Sequence, residues 1–249
     1  MALFTDGPTL SIEDLQGYDT QLLEVATIER IDVTRKLALA HDELAMQLTS
    51  LLRKVTPGWT GVVPATDRLV MTPPLKQWHA FCALEMVYRD AYHSQLNDRY
   101  AARRKEYHEL AAMARARIFQ DGLGMVSDPI PQAQAPSVLP MPGSLPDGTY
   151  YVGMSWTNSA GEEGECSNPC PITIAGSSIA VRHGDRPLNA TGWHVYMGNG
   201  PQEMVRQNDA VLDLGVAWTV TGMASDGLPA GAGQVPEYVQ EIVRLIERG

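Results

Sequence analysis

The sequence has little in it that would do chemistry, cross a membrane or coat nucleic acid. No run approaches about 18 uninterrupted apolar residues, which excludes an ordinary transmembrane helix. The N-terminal MALFTDGPTLSIEDL lacks a basic region and a long apolar stretch, so no secretory signal is expected there. Three cysteines in 249 residues exclude a disulfide framework. There is no Gly-x-Ser-x-Gly elbow, no P-loop and no Gly-x-Gly-x-x-Gly. His108-Glu109 has Ala112 where a zincin helix needs its second histidine. With 19 basic against 29 acidic residues the formal charge is −10, which excludes a basic nucleic-acid-binding surface.

What is present is divided unevenly. Residues 1–124 hold 14 Lys/Arg and 16 Asp/Glu, whereas residues 125–249 hold 5 and 13. No lysine follows Lys105, and Gly, Pro, Ser and Thr become frequent beyond residue 121. Two composition regimes argue for two domains of different secondary structure. The expected fold class is α+β multidomain. It comprises a helical bundle over residues 1–125, a Pro-rich linker over 126–144, a small antiparallel β-sandwich over 145–223, and a spacer with a C-terminal helix over 224–249.

The first regime reads as helix. Ser11 caps a short helix near 12–17, and Asp19 or Thr20 a second with Leu22, Leu23, Ala26 and Ile28 as its apolar face. Asp32 caps a helix running to about Lys54, whose Leu37, Leu44, Leu48, Leu51 and Leu52 make one stripe. Thr72-Pro73-Pro74 is a helix start, because proline in the first turn loses no hydrogen bond. From Leu75 to Gln120 there is neither proline nor glycine. Asn97-Asp98 is the one plausible break, and Gly122 and Gly124 end the run. The predicted helical core is Leu44, Leu48, Leu51, Trp78, Phe81, Met86 and Tyr92.

The second regime reads as strand. The six prolines of residues 126–146 suggest a semi-rigid extended linker. Short β-branched and aromatic segments follow at 149–157, 172–175, 178–182, 192–197, 204–207, 210–213 and 217–221, separated by turn residues. Pro236 starts the final helix, whose Val239, Ile242, Val243, Leu245 and Ile246 form an apolar surface expected to insert into a neighbouring subunit or the portal, the alternative being packing on the chain's own domains.

No catalytic, metal or cofactor site is expected. Cys166 and Cys170 would supply two zinc ligands where about four are needed, so unpaired thiols are the simpler reading. Glu162, Glu163 and Glu165 read as a solvated acidic loop. Arg103-Arg104-Lys105 reads as a solvated face or a salt-bridge site between subunits. Asn189-Ala190-Thr191 matches a glycosylation acceptor, with little weight in the absence of a signal. Trp156, Trp193, Trp218, Tyr150, Tyr151 and Tyr196 are either sandwich core or a stacking platform for glycans.

GTYYVGMSWTNSAGEEGECSNPCPITI (residues 148–174) is similar to the closing strands of fibronectin type III and related immunoglobulin-like domains. ATGWHVYMGNGP (residues 190–201) is similar to a middle strand of the same domains. The order is permuted, as in fibronectin-like domains of tailed-phage structural proteins. Residues 33–55 and 75–110 resemble the helix bundle of phage head-to-tail adaptor (connector, neck) proteins. The resemblance implies a non-enzymatic virion protein of the neck, assembled in the host bacterial cytoplasm. It implies a ring of twelve copies bound to the portal protein and to the next tail or nozzle protein. Genomic DNA would pass through the ring without sequence-specific binding. The alternative is a tail or surface module that recognises host glycan or protein through the sandwich.

Overall fold

The computed structural model describes residues 1–7, 10–55, 66–95, 98–220, 222–231 and 233–240. The chain divides into two compact units. One comprises Gly7–Met125 with Glu237–Gly249, the other Met1–Asp6 with Val126–Pro236. Among the described residues, five α-helices lie in the first, and two of the three antiparallel sheets in the second.

Local capping starts the helices where the sequence allows it. Before α1 (Ile12–Tyr18), Ser11 Oγ accepts from the Asp14 amide at 3.1 Å, and the Asp14 carboxylate accepts from the Ser11 amide at 2.7 Å. At α2 (Leu22–Glu29) the expected cap by Asp19 or Thr20 needs correcting, because the cap position is Gln21 and makes no side-chain cap bond; Asp19 ends α1 and accepts from the Gln21 amide at 2.9 Å. The buried stripe of α2 is Leu22, Val25 and Ala26, whereas Leu23 and Ile28 are exposed. The expected apolar face therefore needs correcting. Positions 22, 25 and 26 share a face at three- and four-residue steps, and Leu23 and Ile28 lie off it. At α3 (Val33–Val55), Asp32 Oδ1 accepts from the Arg35 amide at 3.0 Å.

Helix α4 (Pro73–Gln95) is buried on almost every side, through Leu75, Trp78, Ala80, Phe81, Leu84 and Val87 among others. Its buried residues face more than one neighbour, and α4 packs against α3 and α5 (Ala101–Asp121), with its charged residues Glu85, Arg89 and Asp90 on the remaining side. Gly122, at φ 96°, ends α5 in a conformation open to glycine. Leu44, Leu48, Leu51, Trp78, Phe81 and Met86 are buried. Tyr92 is half-buried, with the Arg104 guanidinium 5.6 Å from its ring centre, so it lies at the edge of the core.

His79 is fully buried on α4, and one ring nitrogen, Nε2, lies 3.0 Å from the Leu37 carbonyl. A carbonyl only accepts, so Nε2 carries the proton and Nδ1 is bare, with no partner among the described residues. Charging the ring would bury an N–H with nothing to receive it. Burial, opposed by that hydrogen bond, holds the His79 pKa below its usual value near 6.5. The unfolded chain thus binds the proton first on acidification. Stability should be fully present above about pH 6.5 and fall below it, by at most about 1.4 kcal/mol per pH unit for this group. Urea titrations between pH 5 and 8 check the sign, and His79→Gln should flatten the profile.

The final helix expected from Pro236 is not found at its start. Glu237–Val239 form strand β9, antiparallel to β1 (Leu123–Met125), with Leu123 opposite Val239. The pairing places Glu237 and Tyr238 beside the strand that follows α5 and overrides the helical start signal of Pro236. Ile242, Val243, Leu245 and Ile246 lie outside the described residues.

In the second unit, β2 (Ser137–Pro142), β5 (Ser177–Arg182) and β8 (Trp218–Thr219) form a three-stranded sheet in the order β2-β5-β8. A four-stranded sheet follows the order β4-β3-β6-β7, from β3 (Gly148–Thr157), β4 (Cys170–Ile174), β6 (Gly192–Gly198) and β7 (Val205–Arg206). Both sheets contribute to one core, including Val152, Trp156, Trp193 and Val195 from one and Ile179 and Val181 from the other. The expected strand at 210–213 is reduced to a single bridge between Leu212 and Trp193.

Residues 126–144 are not a linker. Ile130 and Ala133 are in this core, and β2 pairs with β5 along its whole length. Pro140 and Pro142 are tolerated because β2 is an edge strand, where a missing N–H costs no ladder bond on the open side. Residues 224–236 are not a free spacer either. The Gln234 side chain accepts from the Ile130 amide at 2.7 Å and donates to the Asp128 carbonyl at 2.9 Å and Glu162 at 2.8 Å.

Candidate functional site

The helical unit presents a groove along its long antiparallel pair. Trp78, Cys82 and Met86 of α4 and Ala111 of α5 line its floor, and Glu43 and Gln47 of α3 form one wall. Arg89 and Arg115 stand at the rim, and the cavity measures about 250 Å³. Glu85 and His108 line both this cavity and an adjoining one of about 370 Å³ bounded by Tyr92, Arg104 and Lys105. His108 Nδ1 and Glu85 Oε1 are 3.1 Å apart. The Cys82 thiol is pushed up to about 12, first by burial and then by Glu85 and Glu43, so it is not a nucleophile near neutrality.

Helix α5 turns an exposed face outward beside the groove. Met113 is 60% exposed there. Nearer the start of α5, Arg103 is paired with Glu106 at 3.0 Å, and Lys105 lies 3.8 Å from Glu109. Arg103-Arg104-Lys105 thus joins three separate contacts, two acidic and one aromatic. Exposed pairs of this kind add little stability. They do offer alternating charge to a partner.

Beneath this surface a buried polar cluster fixes how α2, α4 and α5 meet. The Asp19 carboxylate, 5% exposed, accepts from Tyr88 Oη at 2.6 Å and Tyr107 Oη at 2.9 Å. The two tyrosine rings stack at 5.5 Å. Burial, reinforced by the bond to Asp19, pushes both phenol pKa values upward. Asp19→Ala would leave two buried hydroxyls and the Gln21 amide without this acceptor. The expected cost is at least about 2 kcal/mol, read as a lowered midpoint in urea. A loss below about 0.5 kcal/mol would show the cluster to be dispensable.

The residues weighed for chemistry in the second unit serve its packing. Cys166 and Cys170 are free thiols, and burial, with Glu163 next in effect, pushes Cys166 up to about 12. The acidic loop is not simply solvated. Glu163 accepts from the hydroxyls of Ser155 and Tyr196, and Glu162 from Asn158 Nδ2 at 2.7 Å. Nothing in the spacing of Glu162, Glu163 and Glu165 signals those partners, which come from β3 and β6. The Asn189 amide donates to Asp128 at 2.6 Å and to the Pro129 carbonyl at 2.9 Å.

The proposed glycan platform is not assembled. Trp156, Trp193, Tyr150 and Tyr196 are buried, and only Tyr151 and Trp218 are half-exposed. Alternation along β3 and β6 turns the large rings into the core and the adjoining cluster of Cys166, Tyr196 and Met204. Of the residues expected to anchor a partner, Val239 is half-buried in β9, and the others lie outside the described residues. Among the described residues no cluster of three or more His, Cys, Asp or Glu is placed to hold a metal ion. None of their helices is long and apolar enough to cross a membrane. No protein-family model and no curated protein matches the chain.

Proposed function

We propose that this chain is a structural assembly protein, the head-to-tail adaptor of a tailed bacteriophage. In this reading the five helices are the adaptor bundle. The two sheets over a common core are a permuted fibronectin type III-like sandwich. Copies of the chain form a ring, twelve in number, that joins the capsid portal to the next tail component and continues the DNA channel.

The observation that carries this reading is the segregation of charge between the units. The helical unit holds 16 of the 19 Lys/Arg with 18 Asp/Glu. The sheet unit holds 3 with 11, a net of −8 against −2. The basic run Arg103-Arg104-Lys105 on α5 can meet the acidic excess of a neighbouring copy's sheet unit in a head-to-tail contact, in which one patch of each copy meets a different patch of the next and the chain of contacts closes into a ring. The basic and apolar residues of α5 are the donor face in this scheme. An acidic sheet unit also suits a channel wall, since DNA slides past a lining that repels it. Mass measurement of the protein alone and with portal rings tests the proposal. A portal species gaining a complete ring of chains supports it. Portal rings of unchanged mass at saturating protein overturn it.

A further inference from the structure

We infer that the corner where α2 meets α3 receives the carboxylates of Asp209 and Asp213 from the sheet unit of a second copy, through Arg30 and Arg35. The inference rests on the head-to-tail contact of the adaptor reading and names residues that make it.

The first support is the backbone of Arg30. It sits at φ 55° and ψ 44° at the end of α2, in the left-handed conformation that glycine ordinarily takes there. Among the described residues it is the only non-glycine with a positive φ. Its amide donates to the Ala26 carbonyl, as does that of Ile31 at 2.8 Å, so backbone alone closes the helix. Glycine would make that turn with less strain. The Arg30 side chain adds nothing to the turn, since it is exposed and makes no hydrogen bond or ion pair among the described residues. A strained position that keeps an unengaged guanidinium points to a use outside the chain.

The second support is charge complementarity. Arg30 and Arg35 line an open cavity of about 470 Å³ with His93 of α4. Its three carboxylates are engaged, Asp90 with Lys36, Asp32 with the Arg35 amide and Glu29 with the Tyr100 hydroxyl. Arg35, like Arg30, is exposed and has no side-chain partner among the described residues. The corner continues the basic face of α5, because the His93 ring lies 5.2 Å from that of Tyr92, over which Arg104 stands. On the sheet unit, Asp209 and Asp213 are exposed, and neither carboxylate has a partner among the described residues. The backbone between them is held, since Asn208 Nδ2 donates to the Ala210 carbonyl at 2.7 Å and Leu212 exchanges two backbone bonds with Trp193, at 3.0 and 3.1 Å. Carboxylates on a held backbone need little further ordering to bind, and a guanidinium matches a carboxylate in a two-bond fork. Such pairs fix the partner and the register of a contact more than its strength.

Carbodiimide coupling of the full-length chain tests this, because it joins an amine to a carboxylate only where the two touch. Arg30→Lys supplies the amine. Unlabelled and ¹⁵N-labelled chains are mixed, alone and with portal rings, and adducts are mapped by mass spectrometry. The expected adducts join position 30 of one chain to Asp209 or Asp213 of another. The added change Arg35→Glu should cut their yield at least about fivefold by like-charge repulsion. It keeps the fold, because an acid three residues after Asp32 suits the first turn of α3. No adduct between chains at position 30, adducts only to other carboxylates, or a yield unmoved by Arg35→Glu overturns the inference. Portal rings that gain a ring of chains without these adducts reject it and leave the adaptor reading standing. Adducts between chains beside portal rings of unchanged mass support this contact and reject the adaptor reading.

Discussion

Trp193→Ala should cost the sheet unit about 3–5 kcal/mol, the usual price of removing a large aromatic side chain from a closed core. Trp193 is completely buried on β6, paired across the sheet with Trp156 on β3. Its indole N–H donates to the Asp213 carbonyl at 3.2 Å, and the His183 ring lies 5.5 Å from its own. The substitution opens a cavity between two sheets that cannot close on it, because β6 is hydrogen-bonded to β3 on one side and β7 on the other. It also strips the Asp213 carbonyl of its indole donor. Guanidinium unfolding followed by far-ultraviolet dichroism reads the loss as a shift in midpoint. A shift equivalent to less than about 1 kcal/mol would place Trp193 at a surface, and would revive the stacking platform that the buried rings argue against.

Leu48→Ala is the matching test of the helical unit, with an expected loss of about 2–5 kcal/mol. Leu48 is completely buried on α3, in a stripe with Leu44, Leu51 and Leu52 that faces α4. Alanine is the better helix former of the two, so propensity does not contribute to the loss. The effect comes from the lost burial and the void beside α4, which is buried on nearly every side and has no free direction in which to relax. Chemical denaturation measures it. A change under about 0.5 kcal/mol would mean that the α3 stripe faces solvent or a partner.

The parts of this fold that could be read from sequence are those set by short-range physics. Ser11, Asp32 and Pro73 mark helix starts because a cap acts within three residues, and Gly122 marks an end because it takes a positive φ. The α3 stripe was legible because one face repeats at helical spacing. The failures share a different cause. Residues 126–144 look like a linker by their prolines, yet β2 gains its place from β5, about forty positions away. Pro236 looks like a helix start, yet β9 is claimed by β1, more than a hundred positions earlier. Proline and glycine report local geometry and carry no information on distant pairing.

The groove was illegible for the same reason. Cys82, Glu85, His108 and Arg115 are polar or small residues dispersed over two helices. Only the antiparallel pairing of α4 with α5 brings them to one cavity. Glu163 gave no sign of its two hydroxyl partners, since Ser155 and Tyr196 meet it only once β3 and β6 are paired. Tyr92 continued the apolar spacing of α4 but sits where that helix meets Arg104 at the core's edge.

Particle imaging of portal rings mixed with this protein tests the proposed assembly on the portal most directly. The expected result is an added ring of twelve copies, coaxial with the portal, with an inner wall of predominantly acidic character. Portal particles that carry no added ring, or a ring whose inner wall is mainly lysine and arginine, would contradict it.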